Sequence, residues 1–202
     1  MPKNLYVCRD EIDKDEETEE TEETEEIKVV DNNIYFLCDV NKYSIKELII
    51  NIKELTKKNQ IIGITFGIEP PPINLYINSE GGCLYSALSV VDLISTNIVN
   101  INTIISGVCI SAATLISLSG HRRYIMENSY MLIHNISSDV SGKMHELEEE
   151  MINLSELTNR LKSIYKKNSN ITKTQLDKIL KTDSLITSKQ CLTYGLVDEI
   201  KS

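Results

Sequence analysis

The sequence predicts an α/β fold built from β-α units. Apolar runs of strand length recur at residues 34–38, 73–77 and 99–105, separated by segments whose apolar residues step by three or four. Strands alternating with helices pack as a sheet covered by helical layers. At 202 residues and 41% apolar content, the chain is long enough to bury one full core of ordinary size.

Order is expected to begin near Ile27. Before it, residues 16–26 form a near-perfect Glu-Glu-Thr repeat, and residues 11–26 hold eleven Asp or Glu against one Lys. Like charges repel and nothing apolar is there to bury, so residues 1–26 are expected to be a disordered acidic N-terminal segment. It would serve as a solubilising leader or as a removable or gating piece. With -10 of charge in residues 11–26 against -9 for the whole chain, the other 186 residues sum to about +1. The acidity thus belongs to a tail, and no basic patch points to nucleic acid. Residues 27–202 are expected to form the folded domain.

Ile34-Tyr35-Phe36-Leu37-Cys38 follows the turn-prone Asp31-Asn32-Asn33 and reads as the first strong strand. Ser44-Ile45-Lys46-Glu47 has the Ser-x-x-Glu form of a capping box, and Ile45, Leu48, Ile49, Ile52 and Leu55 continue at helical spacing to about Lys58. Residues 59–72 hold another apolar stretch, ended by Glu69-Pro70-Pro71-Pro72. Three prolines forbid regular pairing there, which predicts an added loop or edge hairpin. Residues 73–77 form a second buried strand that closes in Asn78-Ser79-Glu80-Gly81-Gly82, followed by a helix over 84–94 and a strand over 99–105. Residues 123–126 and 130–133 are short strands joined by the turn Glu127-Asn128-Ser129, the second ending at His134. The longest helix spans 145–167, with Leu147, Met151, Leu154, Leu157, Leu161 and Ile164 on one stripe. Thr172-x-x-Gln175 and Thr187-x-x-Gln190 are capping-box forms that open two short helices.

No run of about 18 apolar residues is present to span a bilayer, and Met1-Pro2-Lys3-Asn4 lacks the apolar core of a secretory signal. A soluble intracellular protein, of the cytoplasm or an organelle matrix, is expected. Cys8, Cys38, Cys83, Cys109 and Cys191 are odd in number and show no CxxC spacing. Buried free thiols in a reducing compartment are expected, rather than disulfides or zinc ligands. No metal or cofactor is expected.

Gly107-Val108-Cys109-Ile110-Ser111-Ala112-Ala113 reads as a buried strand delivering one serine to the first turn of a helix. A hydroxyl there lies beside free backbone N–H groups and the positive end of the helix dipole, where a developing oxyanion is stabilised. A serine nucleophile needs a base, and the base needs an orienting acid. His121 and His145 sit at exposed positions, whereas His134 ends an apolar strand and needs a polar partner. Residue type alone leaves His134 open between a base and a satisfied structural histidine, and leaves Asp183 with less to say. Gly81-Gly82 lets backbone approach a substrate closely, although paired glycines alone mark only a turn.

In order along the chain, Ile73-Asn74-Leu75-Tyr76-Ile77-Asn78-Ser79-Glu80-Gly81-Gly82, Gly107-x-x-x-Ser111-Ala112-Ala113, Met131-Leu132-Ile133-His134, Thr182-Asp183-Ser184 and Tyr194-Gly195-Leu196-Val197-Asp198 resemble the proteolytic subunits of Clp proteases, the ClpP family, over about residues 30–200. The resemblance implies a crotonase-like α/β fold of repeated β-β-α units. It implies Ser111 as nucleophile, His134 as general base, Asp183 as orienting acid, and the N–H groups of Gly82 and Ala112 as the oxyanion hole. It further implies polypeptide substrates, a homo-oligomeric ring (heptamer or tetradecamer) with the 145–167 helix in ring-to-ring contacts, and an AAA+ unfoldase as partner.

The chain departs from the family pattern at identifiable places. Glu80 replaces the family's proline before the glycines, and Ala112 replaces a commoner methionine. The stretch from Ser111 to His134 is shorter than in typical bacterial members, and with Ser-Ala-Ala-Thr it also resembles ClpP-like proteases that mature phage capsids. Residues 135–142 keep one glycine where the family has a glycine-rich strand. The acidic repeat occupies the place of the pore loops, and Asn74 replaces an aromatic of the partner-docking cleft. Two alternatives follow: an ATPase-independent maturation protease, or a ring subunit without catalysis. A crotonase-type acyl-CoA enzyme shares the fold and has only the glycine turn in its favour.

Overall fold

The α/β expectation holds in a computed structural model that describes residues 27–138 and 141–202; the expectation of disorder for residues 1–26 lies outside them. The order is β1 (Lys28–Val30), β2 (Asn33–Phe36), α1 (Lys42–Phe66), β3 (Ile73–Ser79), α2 (Leu84–Thr96), β4 (Ile101–Ile110), α3 (Ala112–Leu118), β5 (Arg123–Met126) and β6 (Tyr130–Leu132). Then follow α4 (Met144–Lys167), α5 (Lys173–Ile179), β7 (Ile186–Thr187), α6 (Ser188–Thr193) and β8 (Glu199–Lys201). Among the described residues the strands form one mixed sheet ordered β1-β2-β3-β4-β5-β8, with β6 beside both β4 and β7. Pairs β1–β2 and β6–β7 are antiparallel and the others parallel.

The period-2 pattern of β3 sets which face is inside. Ile73, Leu75 and Ile77 are fully buried, against Ile45, Leu48 and Ile52 of α1 and Leu84, Ala87 and Val90 of α2 in the same core. Each such aliphatic side chain stabilises the fold by about 1.5–3 kcal/mol relative to exposure. The alternate residues face the other way and pair across strands. Asn74 Nδ2 donates to Asn33 Oδ1 at 3.0 Å and Asn102 Nδ2 donates to Asn74 Oδ1 at 3.1 Å. In the next row Tyr35 and Tyr76 stack with centroids 4.9 Å apart.

Residues 59–66 are helix, not the loop or hairpin expected. α1 continues to Phe66 and ends at Gly67, whose φ of 63° is the left-handed C-cap geometry glycine favours. The prolines come after that stop and fold back along the helix. Asn59 Nδ2 donates to Pro71 O at 2.8 Å. Gly63 leaves room for Pro70, since a methyl there would lie 2.9 Å from Pro70 Cγ. The N-terminal cap also lies earlier than read: Asn41 Oδ1 accepts from the N–H groups of Tyr43 and Ser44, while Ser44 Oγ closes the box on Asn41 N.

β4 runs further than its apolar stretch suggested and serves two parallel partners in succession. Residues 103–105 pair with β5 and residues 108–110 with β6. Its register on β3 shifts between Ile77 and Ser79. Gly107, at φ 111°, makes that bulge, and polar side chains fill it: Val108 N donates to Asn78 Oδ1 at 2.9 Å and Gly107 N to Ser129 Oγ at 2.8 Å.

The apolar stripe of α4 is present but half-covered. Only Leu161 and Tyr165 are buried, while Met144, Met151 and Ile152 are exposed. Both Thr-x-x-Gln capping boxes form as read. Cys38, Cys109 and Cys191 are buried, and Cys109 and Cys191 are free thiols. Cys83 departs from that expectation: it is disulfide-bonded. Among the described residues no helix is long and apolar enough to cross a membrane.

Candidate active site

The bulge in β4 aims its last residues at β6, and the strand then turns abruptly into α3 at Ser111. Ser111 holds φ 58° and ψ -126°, a backbone conformation that costs a side-chain-bearing residue about 1–3 kcal/mol. Hydrogen bonds on both sides over-determine it. Ser111 N donates to Leu132 O at 2.9 Å, and Ser111 O accepts from Thr114 N at 3.0 Å and from Thr114 Oγ1 at 2.5 Å. The Ser111 side chain caps nothing, and its Oγ is buried without a hydrogen-bond partner.

The glycine turn after β3 seats directly on this serine. A methyl built on Gly81 would lie 2.7 Å from Ser111 Cβ and 3.1 Å from Ala112 N. Gly81 N donates to Ser79 Oγ at 3.2 Å. Val40 N donates to Gly81 O and Cys83 N donates to Val40 O, each at 2.7 Å. That parallel bridge uses the groups flanking Gly82, so the Gly82 N–H points away from Val40. Among the described residues neither it nor the Ala112 N–H, first in α3, has an acceptor. The glycine turn, Ser111 and the start of α3 are therefore brought together. Glu80 is exposed and lines a cleft of about 250 Å³ with Leu37, Cys38, Asp39, Asn78, Ser79 and Val108.

His134 lies just past β6, whose Leu132 pairs with Ile110, so the strand register carries it alongside the end of β4. Its polar partner is local: Nδ1 is 2.7 Å from Asn135 O. A carbonyl can only accept, so Nδ1 carries a proton, and a neutral ring then presents Nε2 as the acceptor, the tautomer a general base requires. Nε2 is buried without a partner. Both Ser111 Oγ and His134 Nε2 thus lack a hydrogen bond, and they make none to each other.

Asp183 is exposed on the segment between α5 and β7 and makes no hydrogen bond to His134, whose Nδ1 is already engaged. The two segments do meet through backbone, Asn135 N donating to Leu180 O at 3.2 Å. A tight turn, Ser184 N to Thr182 O at 2.7 Å, sets the local path of Asp183. His121 and His145 are exposed, as expected. Among the described residues no group of three His, Cys, Asp or Glu side chains could hold a metal ion.

Sequence reasoning missed Thr114 and Tyr165. Thr114 Oγ1 holds the Ser111 carbonyl and lies 2.5 Å from the Tyr165 hydroxyl, both residues being buried. A threonine three residues past the serine was a local signal for the first bond; the tyrosine, on a different helix, gave none. Two residues before Ser111, Cys109 is fully buried, and burial pushes its thiol far above the ordinary range. It stays protonated and does not compete as a nucleophile. A family model described as Clp protease matches residues 32–202.

Proposed function

The chain belongs to the Clp protease family, and from that premise we propose that it is a serine endopeptidase acting through Ser111, His134 and Asp183. The observation that carries this reading is the buried, unpartnered Ser111 hydroxyl on a strained backbone, with the glycine turn seated against Ser111 Cβ. His134 Nε2 takes the Ser111 proton as Oγ attacks a peptide carbonyl, and the N–H groups of Gly82 and Ala112 hold the resulting oxyanion. The imidazolium returns the proton to the leaving amine. Water, deprotonated by the same imidazole, then releases the acyl group. Asp183 holds the Nδ1–H once its segment swings from solvent to displace Asn135 O.

The working form is a homo-oligomeric ring, heptamer or tetradecamer, acting on polypeptides. The exposed apolar residues on the first half of α4, Met144, Met151 and Ile152, support a contact between copies there. An AAA+ unfoldase feeding such a ring is the family's usual arrangement. One observation favours a second reading, an ATPase-independent maturation protease: the Asn33-Asn74-Asn102 amide row puts polar groups on that sheet face, beside the Tyr35–Tyr76 stack, where an apolar docking cleft is needed.

Ser111→Ala is expected to abolish covalent labelling by a fluorophosphonate probe, with peptidase activity lost by several orders of magnitude. Full labelling of that variant would show the nucleophile assignment to be wrong. Cleavage of a folded substrate without ATP would separate the second reading from the first.

A further inference from the structure

α4 reaches the interior at two residues, and one of them, Tyr165, ends on the helix that starts at the nucleophile. Its hydroxyl lies 2.5 Å from Thr114 Oγ1, which lies 2.5 Å from Ser111 O; both side chains are buried. Proton counting fixes the direction of this chain. The Ser111 carbonyl can only accept, so the single Thr114 hydroxyl proton goes to it. Thr114 Oγ1 must then accept from Tyr165, which must keep its phenolic proton. Burial does keep it, pushing that phenol well above its ordinary range.

What the chain holds is the peptide plane on the C-terminal side of Ser111. The plane on the N-terminal side is held by the Ser111 N–H to Leu132 O. With both planes fixed, φ and ψ of Ser111 are fixed, and so is the direction of its Cα–Cβ bond. A residue at φ 58° relaxes toward negative φ wherever its restraints weaken. We propose that Tyr165 is a positioning residue for the Ser111 nucleophile, acting through Thr114. This rests on the reading of Ser111 as the nucleophile. Hydrogen bonds in series polarise one another, so the phenol strengthens the Thr114-to-carbonyl bond and restricts the threonine rotamer that makes it.

The test uses the full chain with four variants: Tyr165→Phe, Thr114→Val, Thr114→Ser and the Tyr165→Phe/Thr114→Val pair. Fluorophosphonate labelling rates, peptide kcat and KM, and Tm are measured for each. Misplacing a nucleophile by about 1 Å costs on the order of 100-fold. Thr114→Val is therefore expected to lower labelling rate and kcat by about 100-fold, and Tyr165→Phe by about tenfold, with KM within about twofold. Thr114→Ser, which keeps the hydroxyl, should stay near wild type. The pair should be no slower than Thr114→Val alone, because both act along one path. Tyr165→Phe labelling at the wild-type rate overturns the proposal, as does a pair whose losses multiply. Should Tyr165→Phe fail to fold, Thr114→Val decides against Thr114→Ser, and equal rates for those two overturn it. A wild-type chain that takes up no probe sinks the nucleophile reading itself, and the proposal with it. That result is distinct from a labelled wild type with indifferent variants.

Discussion

A methyl group on Gly81 would stand 2.6 Å from Ile110 O and 2.7 Å from Ser111 Cβ, on a backbone with φ 95°. Neither backbone can give way cheaply. Gly81→Ala should therefore push the glycine turn off the serine and cut kcat by about 100-fold or more, with a smaller effect on KM. Steady-state kinetics on a chain whose Tm remains cooperative would check this. Asp183 poses the opposite case, a side chain that must arrive rather than stay. If it arrives, Asp183→Asn should lower kcat by about 10⁴-fold while labelling at saturating probe still goes to completion. An unchanged kcat would leave Asp183 a mere surface residue. At this scale the sequence showed which residue types could react, and the serine and both glycines sit where their context placed them. Whether His134 meets Asp183 was not legible, because the contact depends on a loop whose path is set by Leu180 and Asn135 rather than by any local pattern.

Among the elements, α1 shows why composition misled and where it did not. Its apolar stripe from Ile45 to Leu55 was plain, whereas Ile61 to Ile68 looked like an added loop or edge hairpin because three prolines closed it. The prolines are breakers, but the break falls at Gly67, and the buried Asn59 amide binds the returning chain at Pro71 O. That contact is tertiary and leaves no local mark. Gly67 has open space around it, so only its φ of 63° resists substitution. Gly67→Ala should destabilise by about 1 kcal/mol and Gly67→Asn by less, read as denaturant midpoints at equal m-value. Equal losses for both would remove the left-handed cap as the cause. β4 is the parallel case among strands. Its single glycine marked an interruption, but the two successive partners that the interruption permits could be seen only in the folded chain.

At the scale of the whole molecule, no Asp or Glu among the described residues is buried, whereas several weak acids are sealed within. Burial pushes Cys191 up to about 12, and raises Cys109 and Tyr165 as well, whereas an unfolded cysteine titrates near 9.0. Folded, these groups stay protonated; unfolded, they ionise. Their contribution is therefore full below about pH 9 and falls as pH rises toward 12. Tm should be level with respect to these groups up to pH 8 and decline steeply above pH 9, with Cys191→Ser reducing the slope. A level Tm through pH 11 would contradict that burial. At the same scale, Ile152→Asp on the uncovered half of α4 should lower the mass seen by light scattering, with Ser111 still inside a folded chain. The solvent-facing Asp183 gives this a physiological reading. If assembly is what carries Asp183 to His134, an isolated copy would be inactive until it meets others of its kind. Turnover per copy should therefore climb steeply with concentration instead of holding constant, and dilution alone should act as the off-switch.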